Sequence, residues 1–228
     1  MNDEPHQGPV NPLPPVVVAL FLLIIGIEVL FWAGSSGLFR DPTAVGWRRD
    51  AILTYGFSAD VFRQMWDLNQ WPLEHVIRFV TYPFVHGAFT HALFAGVILL
   101  AMGKMVAEVF GAIPMLLIFV CSGAGGALGY SLLMQDTVLL FGGFPPVYGL
   151  IGAFTFILWR SLSVVGANQM RAFSLIGFLM GFQLLFVILF DAQSDWVADL
   201  CGFATGFLLS FVVAPGGWGS LLARIRNR

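Results

Sequence analysis

The chain has 228 residues, of which 58% are hydrophobic and only 11% charged. Soluble domains carry about a quarter charged residues, so the solvent for most of this chain is lipid rather than water. A net charge of -2 offers no basic surface of the kind that binds nucleic acid.

The first residues, "MNDEPHQGPVNPLPP", put acids and prolines where a cleavable signal peptide has a basic region. Segment 1–14 is therefore expected to be a cytoplasmic lead-in to a span. A helix needs about twenty apolar residues to cross a bilayer. Six runs approach that length, at about 15–33, 89–109, 114–134, 145–159, 172–190 and 196–214, the fourth being short.

The stretch from 34 to about 87 is too long for a structureless connection. It holds Trp47, Trp66 and Trp71 among five Arg and five Asp or Glu. Within "SADVFRQMW", Ser58 is an N-cap candidate, and Val61, Phe62, Met65 and Trp66 share a helical face. Short amphipathic helices in the membrane interface are expected, where tryptophan side chains settle. Cys121 and Cys201 fall inside apolar runs and read as small buried hydrophobes. No Cys/His spacing fits a metal, and no cofactor is called for.

Lys104, Arg160, Arg171 and the tail 215–228, with Arg224, Arg226 and Arg228, fall on one side of an even number of spans. The short connections on the other side, near 134–143 and 191–195, carry no Lys or Arg. Both termini are accordingly expected in the cytoplasm.

Ionisable residues within a bilayer are functional candidates by default. Glu28 lies in the first run, His86 and His91 at the start of the second, and Asp199 in the sixth. Gly202 and Gly206 follow Asp199 on the same helical face, where they permit close helix approach. Asp199 is either a structural acid near a helix N-terminus or a proton or ligand site. His91 either bonds a loop carbonyl or belongs to a site. Gly125 and Gly129 form a packing face in the third run.

Taken together, these features resemble the rhomboid family of intramembrane serine proteases, over about residues 70–214. The family's second helix opens with His-x4-His-x3-Asn; here His86, His91 and Ala95 stand at that spacing. Arg78 sits where the first-loop Trp-Arg motif has its arginine, with Ile77 in place of the tryptophan. The family's Gly-x-Ser-Gly falls on "GGFPPVYG", with Gly142 on the first glycine, Phe144 on the serine and Pro145 on the second glycine. Tyr148 matches the aromatic that packs by the catalytic histidine. The family's His-x2-Gly-x3-Gly falls on Asp199, Gly202 and Gly206, and "GKMVAEVFG", with Glu108, resembles the end of its second helix.

The resemblance implies an all-α bundle of six transmembrane helices, with amphipathic helices in the first loop and a membrane domain over 15–214. The departures bear on activity. Rhomboid cleavage needs a serine oxygen and a histidine to take its proton. Phe144 has no nucleophilic atom, Asp199 replaces the histidine, and Ala95 lacks the amide that helps hold an oxyanion. Loss of one triad member costs several orders of magnitude in rate, so no enzyme activity is expected. Pro145 and Pro146 suit a first helical turn, Phe144 fills the vacated space, and Tyr148 is expected to donate its hydroxyl to Asp199.

The reading reached is a pseudoprotease that binds transmembrane partners or clients in a bacterial inner membrane, in an escort, retention or quality-control role. The fifth run, "AFSLIGFLMGFQLLFVILF", offers bulky, adaptable side chains to such a partner. A permanent accessory subunit of a larger complex and a residual intramembrane peptidase are the alternatives. A transporter is disfavoured, because no inverted repeat or pair of broken helices is evident.

Overall fold

The computed structural model describes residues 12–135, 138–190 and 195–214. Segment 1–14 is thus described only from residue 12, and the tail 215–228 lies outside the described residues.

Pro15 starts α1 (Pro15–Ser35), supplying a preset φ where no helical N–H is needed. The first loop then folds into short helices, as its composition suggests: α2 (Trp47–Tyr55), α3 (Ala59–Leu68), α4 (Leu73–Val76) and α5 (Arg78–Thr81). Ser58 caps α3 by accepting from the Val61 N–H, and Phe62 and Met65 face inward while Trp66 stays exposed. Asn69 closes the same helix in the left-handed conformation, at φ 49°.

Two 22-residue helices follow, α6 (Phe89–Phe110) and α7 (Ala112–Leu133). They are separated only by Gly111, whose φ of 95° reverses the chain. Next come α8 (Phe144–Val164), α9 (Ser174–Phe190) and α10 (Trp196–Val213). Two dipeptides pair as antiparallel strands, β1 (Phe57–Ser58) with β2 (Leu139–Leu140), in the register Phe57 to Leu140. This pairing ties the first loop to the approach to α8.

Among the described residues, five helices, α1, α6, α7, α8 and α10, are long and apolar enough to cross a membrane. The six expected runs all form helices, but two differ from expectation. The fourth is not short: α8 reaches Val164, 21 residues, because its last turns carry Arg160, whose head a helix end can direct outward, and Ser161, whose hydroxyl donates back to the Ile157 carbonyl. The fifth, α9, has 17 residues, about 25 Å of helix against a hydrocarbon core of about 30 Å. The architecture remains the expected all-helical bundle, with α9 shorter than its neighbours.

Helices α7, α8 and α10 form the centre, and α1 and α6 pack together beside it. Where glycines face each other, α8 and α10 meet backbone to backbone. A Cβ on Gly202 would strike the Pro145 carbonyl, one on Gly206 the Gly149 carbonyl, and one on Gly152 the Phe203 carbonyl. Gly125 and Gly129 play the expected packing role on α7, receiving Thr205 and Cys201 of α10.

Gly206→Leu is expected to lower stability by roughly 3 kcal/mol or more, because the rigid α8 backbone cannot yield to the added atoms. Gly177→Ala in α9, where a Cβ meets nothing within 4 Å, is expected to be neutral or slightly stabilising. Thermal unfolding in one detergent checks both.

Candidate functional site

The chain enters the site through Tyr82, whose buried hydroxyl donates to the Gly123 carbonyl of α7 at 2.8 Å. The Tyr82 carbonyl in turn accepts from the Gly142 N–H at 3.0 Å. His86 lies in the loop before α6 rather than on the helix, fully buried. Its Nε2 accepts from the Gly143 N–H at 3.0 Å. That bond leaves Nε2 bare and puts the ring proton on Nδ1, which faces the Phe84 carbonyl without a well-formed hydrogen bond. Burial first, then the neighbouring His91, hold the His86 imidazole down at about 3, with the Phe84 carbonyl pulling the other way and Arg48 adding to the depression.

Gly142 adopts φ 101°, and a Cβ there would lie within 2.6 Å of the His91 ring. Both the conformation and the space therefore require glycine. Gly143 caps α8, and Phe144, Pro145 and Pro146 form its first turn, as the two prolines imply. The Phe144 ring stacks on His91 at 5.0 Å between centroids and 21° between planes. His86 meets His91 edge-on at 5.0 Å, and Tyr148 meets Phe144 edge-on at 6.4 Å. Ala95 is fully buried beside Gly143. A cavity of about 30 Å³ remains, bordered by His91, Tyr130, Phe141 and Asp195, enough for about one or two waters.

Asp199 is buried on α10, but its partner is not Tyr148. Its Oδ2 accepts from the Gln183 Nε2 of α9 at 2.7 Å, and the hydrogen bonds among the described residues include none from Tyr148 to Asp199. Tyr148 instead packs with Ile151, Ile176 and Phe203. A tyrosine one turn into α8 meets apolar neighbours, whereas the amide of Gln183 reaches the acid from the facing helix.

Glu28 has the clearest partner, and sequence reading missed it. Arg48 of α2 grips the fully buried Glu28 carboxylate with both terminal nitrogens, at 3.0 and 2.9 Å. It also donates to the His86 carbonyl at 2.7 Å. The available signal was an acid inside an apolar run, which requires a cation; which of five loop arginines supplies it depends on the fold. Arg78 stays apart from the histidines and donates to the Gly56 carbonyl at 3.4 Å, bracing the first loop.

Structure thus gathers His86, His91, Gly142, Phe144, Tyr148 and Ala95 at one end of α6 and α8. Asp199, Gly202 and Gly206 line the adjoining face of α10. Aromatic rings, a neutral imidazole and an amide-bonded carboxyl make this a packed polar cluster, with no hydroxyl or thiol at position 144. Among the described residues no group of three His, Cys, Asp or Glu side chains could hold a metal.

A helical membrane bundle with two histidines below a glycine-capped helix defines the class. The rhomboid domain model matches residues 73–216, more than half of the chain. The chain belongs to the rhomboid family. It is 25% identical over 200 residues to YdcA of Bacillus subtilis (strain 168), a candidate rhomboid protease, covering 88% of this chain and 89% of that protein. It is 29% identical over 139 residues to RHOMBOID-like protein 4 of Arabidopsis thaliana, covering 60% of this chain and 34% of the plant protein. RHOMBOID-like protein 1 of the same plant is 31% identical over 139 residues, covering 61% and 35%. The chain therefore spans about a third of the length of these two plant relatives.

Two outcomes are expected. Glu28→Ala leaves Arg48 without its counter-ion and should cost about 3–5 kcal/mol; adding Arg48→Ala should then cost less than it does alone, read by a double-variant cycle of unfolding free energies. For His86, the unfolded chain titrates near pH 6.5 and the folded one near 3. Between these values the unfolded state binds the extra proton, so stability is complete above about pH 6.5 and declines as pH falls. His86→Asn should reduce that decline in thermal melts taken from pH 7 to pH 4.

Proposed function

We propose that this rhomboid-family chain binds transmembrane segments of other membrane proteins without cleaving them. The observation that carries the reading is Phe144. Where the family has its serine, an aromatic ring caps α8 and stacks on His91 at 5.0 Å. Acyl transfer needs an oxygen or sulfur nucleophile beside a base, and position 144 offers carbon alone. The acid at 199 is engaged by Gln183, which supports a structural role for it.

Binding draws its support from α9. Ile176 anchors it to Tyr148, Ile151 and Phe203, while Phe178, Leu184 and Leu185 stay exposed. On a membrane helix such residues face lipid or another protein's helix. With α9 as a sixth crossing, the Lys and Arg distribution favours both termini in the cytoplasm, with the chain in a bacterial inner membrane.

Crosslinking in native membranes, followed by mild-detergent purification and mass spectrometry, tests the proposal against Asp199→Ala. A spread of single-span proteins that changes in the variant is expected, with no labelling of the wild type by a serine-directed probe. One stoichiometric neighbour, unchanged in the variant, would replace client binding with a fixed-subunit role. Cleaved fragments of bound proteins, present with wild type and absent with the variant, would overturn the non-cleaving assignment.

A further inference from the structure

A groove of about 430 Å³ runs between α3 of the first loop and the last turns of α7, away from the cluster described above. Its α7 wall is hydrocarbon: Leu128 and Leu132 are 41% and 71% exposed on a helix long and apolar enough to span. Its α3 wall is aromatic and charged, with Trp66, 67% exposed, beside Asp67.

Arg63 stands between the two walls. Its Nη1 donates to the Ser131 and Met134 carbonyls at 2.9 and 2.7 Å, and its Nη2 to the Asp60 carboxylate at 2.7 Å. A guanidinium has five N–H donors. Three are committed, and two make no hydrogen bond among the described residues.

Charge then selects the ligand. Asp60 compensates Arg63 in an ion pair. Asp67 makes no ion pair among the described residues, so the uncompensated charge of the groove is negative and adjoins an indole. A cation placed there gains from the carboxylate and from the ring face. A water-soluble cation would leave the leucine wall unused, and a lipid with a purely anionic headgroup would meet Asp67 unfavourably. We propose that this groove binds a zwitterionic phospholipid, with its headgroup amine at Asp67 and Trp66, its phosphate at the free donors of Arg63, and an acyl chain along Leu128 and Leu132.

Native mass spectrometry of the full chain in detergent, with added phosphatidylethanolamine or phosphatidylglycerol of identical acyl chains, tests this. Wild type should retain the ethanolamine lipid about threefold or more over the glycerol lipid, the scale of an exposed cation–π contact reinforced by a carboxylate. Asp67→Asn should bring the ratio close to one, and Trp66→Ala should reduce it. Both side chains are exposed, so unchanged melting temperatures confirm that the variants fold. Equal retention of the two lipids by wild type, retention of neither, or a preference that persists in Asp67→Asn would overturn the assignment.

Discussion

The bundle depends on glycines that bring the α8 and α10 backbones together. Lipid gives helices little hydrophobic reason to associate, so close packing of small residues must hold them. Gly149, Gly152, Gly202 and Gly206 let the two backbones touch, and Gly126 of α7 admits the Ala198 carbonyl and the Pro145 ring to the same junction. One consequence is positional. With Gly202 against Pro145, the first turn of α8 and the acid one turn earlier on α10 adjoin whatever side chains they carry. The scaffold can thus persist when the chemistry at positions 144 and 199 changes, because the glycines, rather than a serine–histidine contact, fix the geometry.

A second constraint reaches the same place from the other side. Glu28 is buried in an otherwise apolar helix, where an unpaired carboxylate would be prohibitively costly. Arg48 satisfies it and in doing so draws α2 onto α1. The same guanidinium holds the His86 carbonyl, and the His86 ring receives the N–H of Gly143, the residue that caps α8. A continuous series of polar contacts therefore runs from the first span, through the interfacial loop, to the start of α8. This explains why the long first loop is folded: it supplies the counter-ion that the first span requires. Arg63 does similar work farther along, satisfying two carbonyls at the end of α7.

Much of this was legible in the sequence because membrane helices announce themselves by apolar length, and close-packed faces by glycines three and four apart. Ser58 and the paired prolines each carried a local physical signal that the fold realises. What sequence hid was tertiary. Gln183 sits in the middle of an apolar helix and reads as filler until α9 faces α10. Tyr148 was the nearer residue by family pattern, yet its neighbours are apolar. Arg48 could not be chosen from among the loop arginines without knowing how α2 lies. A two-residue strand pair, β1 with β2, has too little pattern to be seen at all.

The contrast between α9 and its neighbours bears on how a partner helix could be received. Glycines seat the α8 and α10 backbones against each other, and Phe156 and Trp159 pack on Phe207 and Phe211 beside them, so separating those helices would forfeit contact along several turns. Among the described residues, helix α9 is held differently, by Ile176 with Leu175, Leu179 and Met180 in a small apolar cluster, and by an amide–carboxyl bond from Gln183 to Asp199. Interhelical polar contacts of this kind in membranes are worth about 1 kcal/mol. An incoming transmembrane helix with its own small-residue or amide-bearing face could replace a contribution of that size, while no comparable exchange is open at the glycine seam. Under the proposed reading, the acid at the family's histidine position therefore has a defined physical use: it fastens α9 through a polar contact of a kind that an incoming helix could replace.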